Sequence, residues 1–90
     1  MSAPENPNVN RQELEDEWQE RLHEAQKRYH EATARSNEAL RVFRERSVPT
    51  PDGGEGYNRA LREETLARRE YMRVLRIFTD LTVAGTIPEE

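Results

Sequence analysis

The chain of 90 residues contains no cysteine, one lysine and few aromatic side chains. The absence of cysteine excludes disulfide frameworks, thiolate zinc sites and thiol nucleophiles. No run approaches the roughly 18 apolar residues of a membrane-spanning helix, and the first residues lack the basic and apolar regions of a secretory signal. We therefore expect a cytoplasmic protein that needs no cofactor and no membrane, stabilised by packing or by association.

Hydrophobic residues are also scarce, at 33%, and Leu, Ile, Val and Phe together number 16. Such a composition is typical of a disordered chain when the net charge is high, but the net charge here is only −4. Ala, Glu, Lys, Leu and Arg make up 44 of the 90 residues, which is typical of long helices and coiled coils. The periodicity of the sequence decides between these two classes.

The first half of the chain contains a heptad repeat. Residues 10–46 include no Gly or Pro, and Asn10 with Glu13 has the spacing of a capping box. Lettering each heptad a to g places apolar or small residues at a and d: Leu22, Tyr29, Ser36 and Phe43 at a, and Trp18, Ala25, Ala32 and Ala39 at d. This pattern predicts helix 1 at about 11–46, after a flexible arm at 1–9.

The break between the helices is rich in Pro and Gly, so we place a loop at 47–54 and helix 2 at about 55–84. Two starts for helix 2 remain open: Thr50 as the cap with Pro51 as the first helical residue, or Asp52 as the cap. We favour Asp52, because the first start puts three glycines inside the helix. Gly85 in a left-handed conformation would end helix 2, leaving a tail at 85–90.

Two long helices with a short connection predict an all-α, antiparallel, coiled-coil-like hairpin. Helix 2 has Tyr57, Glu64, Tyr71 and Phe78 at a, and we expect an Arg to pair with Glu64. The predicted seam between the helices consists of Trp18, Leu22, Ala25, Tyr29, Ala32, Ala39, Phe43, Ala60 and Ala67. The architecture is similar to that of small secreted helical hairpins with Trp-x-Gly in the turn, but the turn here contains no Trp.

Helix 2 is apolar over more of its circumference than one neighbouring helix can bury. We therefore predict that two hairpins form a homodimeric four-helix bundle, with an unknown protein partner as the alternative. The predicted oligomer interface consists of Tyr71, Met72, Val74, Leu75, Ile77, Phe78 and Leu81. The expected function is a non-enzymatic structural or protein-interaction module.

Two other functions were weighed against this one. Arg62, Arg69 and Arg76 recur every seven residues on helix 2 and could contact the phosphates of RNA, but the negative net charge favours a solvated, ion-paired face. Glu20 and His23 have the Glu-x-x-His spacing of ferritin-like metal centres. Their register faces solvent and helix 2 has no matching motif, so no metal site is expected.

Overall fold

The computed structural model describes residues 7–45 and 51–88, with side chains over 11–45 and 54–88. These residues form two α-helices, α1 at Pro7–Glu45 and α2 at Pro51–Ala84, with no strand among them. The helices pack on each other as an antiparallel hairpin with principal extents of 71 × 18 × 16 Å. The predicted all-α class and hairpin are therefore confirmed.

Both helices begin earlier than the sequence patterns indicated. α1 starts at Pro7, so Asn10 lies within the helix, and α2 starts at Pro51, the start that we did not favour. Proline suits a first helical turn because its φ is already helical and its missing N–H would have no partner there. Residues 1–6, 46–50 and 89–90, including the alternative cap Thr50, lie outside the described part of the chain.

The end of α2 is fixed by Gly85 and by a side chain from α1. Gly85 has a φ of 70°, as predicted, and its N–H donates to the carbonyl of Leu81 at 3.0 Å. Arg11 Nη2 donates to the carbonyls of Leu81 and Thr82, at 3.3 and 2.9 Å. A guanidinium at this position gives the Leu81 carbonyl a second donor, supplies one to the Thr82 carbonyl in the last turn, and complements the negative end of the helix dipole.

The core of the hairpin is small. Its buried hydrophobic residues are Trp18, Ala25, Ala32, Ala60, Val74 and Leu81. Half of these are alanine, which lets the two backbones approach closely but buries little apolar area. Neither helix, over the described residues, is long and apolar enough to cross a bilayer.

The glycines at the start of α2 provide a test of that start. We expect Gly54→Ala and Gly56→Ala together to raise the free energy of unfolding by about 1–2 kcal/mol, because alanine costs less backbone entropy in a helix. A Cβ at either position would meet no atom within 4 Å. Urea titrations followed by circular dichroism measure the change. Gly85→Ala is the matched control and should lower stability by about 1 kcal/mol; a loss of stability in the double variant would contradict a helix that begins at Pro51.

Candidate association surface

The predicted seam residues lie between the helices to different extents. Trp18, Ala25, Ala32 and Ala60 are buried, whereas Leu22, Tyr29, Ala39 and Ala67 are half-buried. Phe43 is exposed, and its ring stacks on that of Tyr57 with centroids 6.2 Å apart. The guanidinium of Arg21 lies 4.5 Å from the centroid of the Trp18 ring and covers one face of it.

Most of the predicted oligomer interface belongs to the hairpin itself. Val74 and Leu81 are 4% and 0% exposed and form one core cluster with Trp18 and Ala25. Three further predicted interface residues pack against this cluster and are half-buried: Tyr71, Ile77 and Phe78. Val74 and Leu81 therefore offer no surface to a second chain. The alanines of the seam predicted that α1 covers little of α2, but the large Trp18 and the α1 residues next to it cover more.

The apolar side chains that remain in solvent are concentrated on α2. Leu61, Leu66, Met72 and Val83 are 37%, 63%, 55% and 80% exposed, and Leu75 is half-buried. On α1, Phe43 is the exposed large hydrophobic side chain among residues 11–45. Exposed apolar side chains concentrated on one element are a feature of association sites.

Contacts across the seam establish which residues share a side of the hairpin. Tyr29 stacks on Tyr71 with ring centroids 5.8 Å apart, so a positions of the two helices face each other. Arg35 Nε lies 3.6 Å from Glu63 Oε2, and both residues are at position g. Positions g and c of both helices therefore form one side of the hairpin, and positions e and b form the other.

The side formed by positions e and b carries few charges, and we call it the neutral side. Its α1 residues are Gln12, Asp16, Gln19, His23, Gln26, His30, Thr33, Asn37, Leu40 and Arg44. Its α2 residues are Asn58, Leu61, Thr65, Arg68, Met72, Leu75, Thr79 and Thr82. With histidine counted as neutral, 3 of these 18 residues are charged, against 13 of the 19 at positions g and c between Leu14 and Ala84.

A polar group interrupts the seam at Glu64. Its carboxylate accepts hydrogen bonds from Thr33 Oγ1 at 2.9 Å and Ser36 Oγ at 3.1 Å. Ser36 Oγ is also 3.1 Å from the Thr33 carbonyl, so its single proton alternates between two acceptors. The expected pairing of Glu64 with an Arg is wrong, because at this level of the hairpin the facing a and e positions hold hydroxyl side chains.

Other charged residues are paired along the helix surfaces. Arg21 lies 3.4 Å from Glu17, and Arg28 lies 3.5 Å from Glu24, both pairs at i,i+4 spacing on α1. Arg41 donates to both Glu38 and Glu45 and thereby lowers the pKa of Glu38 and raises its own. This cluster is fully exposed and contributes little to stability.

The remaining candidate sites differ in what surrounds them. Arg62, Arg69 and Arg76 are exposed on α2, and the acidic residues beside them in sequence, Glu63 and Glu70, lie toward α1. Glu20 and His23 are exposed on α1. Over the residues whose side chains are described, no three His, Cys, Asp or Glu side chains are placed to hold a metal ion.

We expect the carboxylate of Glu64 to be tolerated in the seam only when both of its hydroxyl donors, Thr33 and Ser36, are present. Thr33→Val with Ser36→Ala should lower the free energy of unfolding by about 1–3 kcal/mol, since the carboxylate then lacks its donors in a partly buried position. Adding Glu64→Leu should recover this loss or exceed it, because an apolar layer needs no donors. Urea denaturation compares the variants, with Thr86→Val, which is exposed beyond the end of α2, as control; an additive loss in the triple variant would refute this account.

No protein-family model, curated protein or solved structure matches this chain significantly. What the hairpin does must therefore be inferred from its own exposed side chains.

Proposed function

We propose that this chain is a non-enzymatic protein-interaction module that associates with itself through a surface that includes the exposed apolar side chains of α2. The observation that carries this proposal is the uneven exposure of apolar side chains. Leu61 and Met72 are in solvent on one side of α2, with the half-buried Leu75 between them and the end of the helix, and Leu66 is exposed on the opposite side. The surface of α1 before Phe43 is instead polar and rich in acidic residues. Burying such a surface against another chain is favourable at about 25 cal/mol per Å² of apolar area removed from water.

The small core supports the same proposal. Two helices that bury three alanines and three larger side chains have little to offset the entropy of ordering about 70 residues. Association adds apolar burial that the single hairpin lacks, so folding and association are coupled. A homodimer, giving four helices around one core, is the smallest closed assembly that supplies it.

Met72 is the residue with which to test self-association. It is exposed in the hairpin, so Met72→Glu leaves the intrachain core intact but buries a charge if α2 is covered by a second chain. We expect a dimer at micromolar concentrations for the unchanged protein and at least about 10-fold weaker association for the variant. Light scattering after size exclusion measures mass, and circular dichroism on the same samples measures helicity.

Ile87→Glu is the matched control, because Ile87 is equally exposed, receives the same charge and lies beyond the end of α2. It should leave the mass unchanged. A fully helical monomer at all concentrations of the unchanged protein would refute the proposal.

A second candidate function, binding of single-stranded nucleic acid, is favoured by one observation. Arg62, Arg69 and Arg76 are exposed and form no ion pair within the described part of the chain. If the three side chains each contact one phosphate, binding should become about 20-fold weaker when the salt concentration rises from 50 to 200 mM. Fluorescence anisotropy with a labelled oligonucleotide tests this function on two triple variants. One replaces Arg62, Arg69 and Arg76 by Gln, and the other, with the same change of charge on α1, replaces Arg21, Arg28 and Arg35 by Gln. Equal binding by the two triple variants would remove this function.

A further inference from the structure

We propose that the surface buried on self-association is the neutral side, contributed by both helices, and that the two-fold axis crosses the hairpin at right angles near His30. This inference rests on the self-association proposed above and names the surface and orientation involved. In this arrangement α1 packs on α1 of the second copy and α2 on its α2, each pair antiparallel.

The first support is the size and low charge of this side. It extends from Gln12 to Arg44, about 48 Å along α1 at 1.5 Å per residue, and the hairpin is 18 × 16 Å across. Contact over this length would cover about 800 Å² per copy, the amount buried by a stable interface of standard size. The opposite side would instead desolvate many charged residues, several already held in ion pairs, at a cost that pairing only partly offsets.

The second support is the position of the charges that the neutral side does carry. Asp16 lies fourteen residues before His30, and Arg44 lies fourteen residues after it. Fourteen residues are two heptads, so all three share one face of α1. A perpendicular two-fold axis at His30 therefore places Asp16 of each copy opposite Arg44 of the other, and symmetry produces this attraction twice.

The α2 residues at the same level fit this axis. Because Tyr29 stacks on Tyr71, His30 lies level with the stretch between Arg68 and Met72. The axis places the Arg68 side chain of one copy across from Met72 of the other, so that the arginine stem covers an apolar side chain while its charge reaches solvent. No like charges are opposed on either helix.

An axis along the hairpin would give a different dimer. It would pack the apolar residues of α2, Met72 and Leu75 among them, against the glutamines and histidines of α1. Asp16 and Arg44 would then lie at opposite ends of the assembly, without an opposite charge across the interface. Apolar burial and charge complementarity both favour the perpendicular axis.

Charge exchange between Asp16 and Arg44 tests the inference. We expect Asp16→Arg alone and Arg44→Asp alone each to weaken the dimer about 10-fold at 50 mM salt, because two attractions become two repulsions. The double variant restores the attraction with the roles reversed, and its dissociation constant should return to within about 2-fold of the original. Sedimentation equilibrium measures the constants, and in 1 M salt the differences should shrink.

Glu13→Arg is the matched control, since Glu13 is exposed one turn away on the outer surface of α1 and has no ion pair within the described residues. It should change the dissociation constant less than about 2-fold. A double variant as weak as the single variants would overturn the inference.

Distances within the dimer give a second readout that does not depend on the effects of substitution on folding. Because the chain has no cysteine, a nitroxide can be attached at His30→Cys or Gln19→Cys alone. The perpendicular axis requires a short distance between the two labels at 30 and at least about 33 Å between those at 19. Equal distances at both positions would overturn the orientation while leaving self-association intact, whereas a monomer would remove both proposals.

Discussion

The close approach of the two backbones is the constraint on which the rest of the structure depends. Alanine recurs every seventh residue of α1, and the register set by Tyr29 and Tyr71 places Ala32 level with Ala67 and Ala39 level with Ala60. At these two levels no large side chain holds the helices apart. The same small residues leave the hairpin with little buried apolar area. Among the residues whose side chains are described, the largest that are fully buried are Trp18 and Leu81, which pack together near the end of the seam farthest from the turn. Because the hairpin buries few apolar side chains, the exposed apolar side chains of α2 are the ones that can add further apolar burial.

The periodicity of the sequence predicted the two helices and their antiparallel pairing, because a seven-residue spacing of small and apolar residues reports directly on which face is covered. Helix starts were harder to predict. Pro51 suits the first position of a helix by its own geometry, so a capping residue further along does not decide the start. Glycines in an exposed first turn destabilise the helix too little to exclude a start before them. The partner of Glu64 depended on which a positions share a level, and that register is established by contacts between the helices such as the stacking of Tyr29 on Tyr71.

The extent of the association surface could be predicted only in part. Hydrophobic residues on α2 were counted correctly, but how many of them α1 covers depends on side-chain volume, and one tryptophan with its neighbours covers Val74, Phe78 and Leu81. The neutral side lies at positions b and e, outside the a and d positions from which the seam is predicted. Reading the b and e columns of both helices together would have revealed it, since an almost charge-free stripe is unusual in a chain with 36% charged residues.

The hydrogen bonds from Arg11 to the carbonyls of Leu81 and Thr82 join the two helices at the end of the hairpin opposite the turn. At one end the helices are joined by the chain, and at the other by a guanidinium. Helix ends normally fray independently, but here loosening α1 as far as Arg11 also removes the cap of α2. The start of α1 and the end of α2, which lie at the same end of the hairpin, therefore stabilise each other.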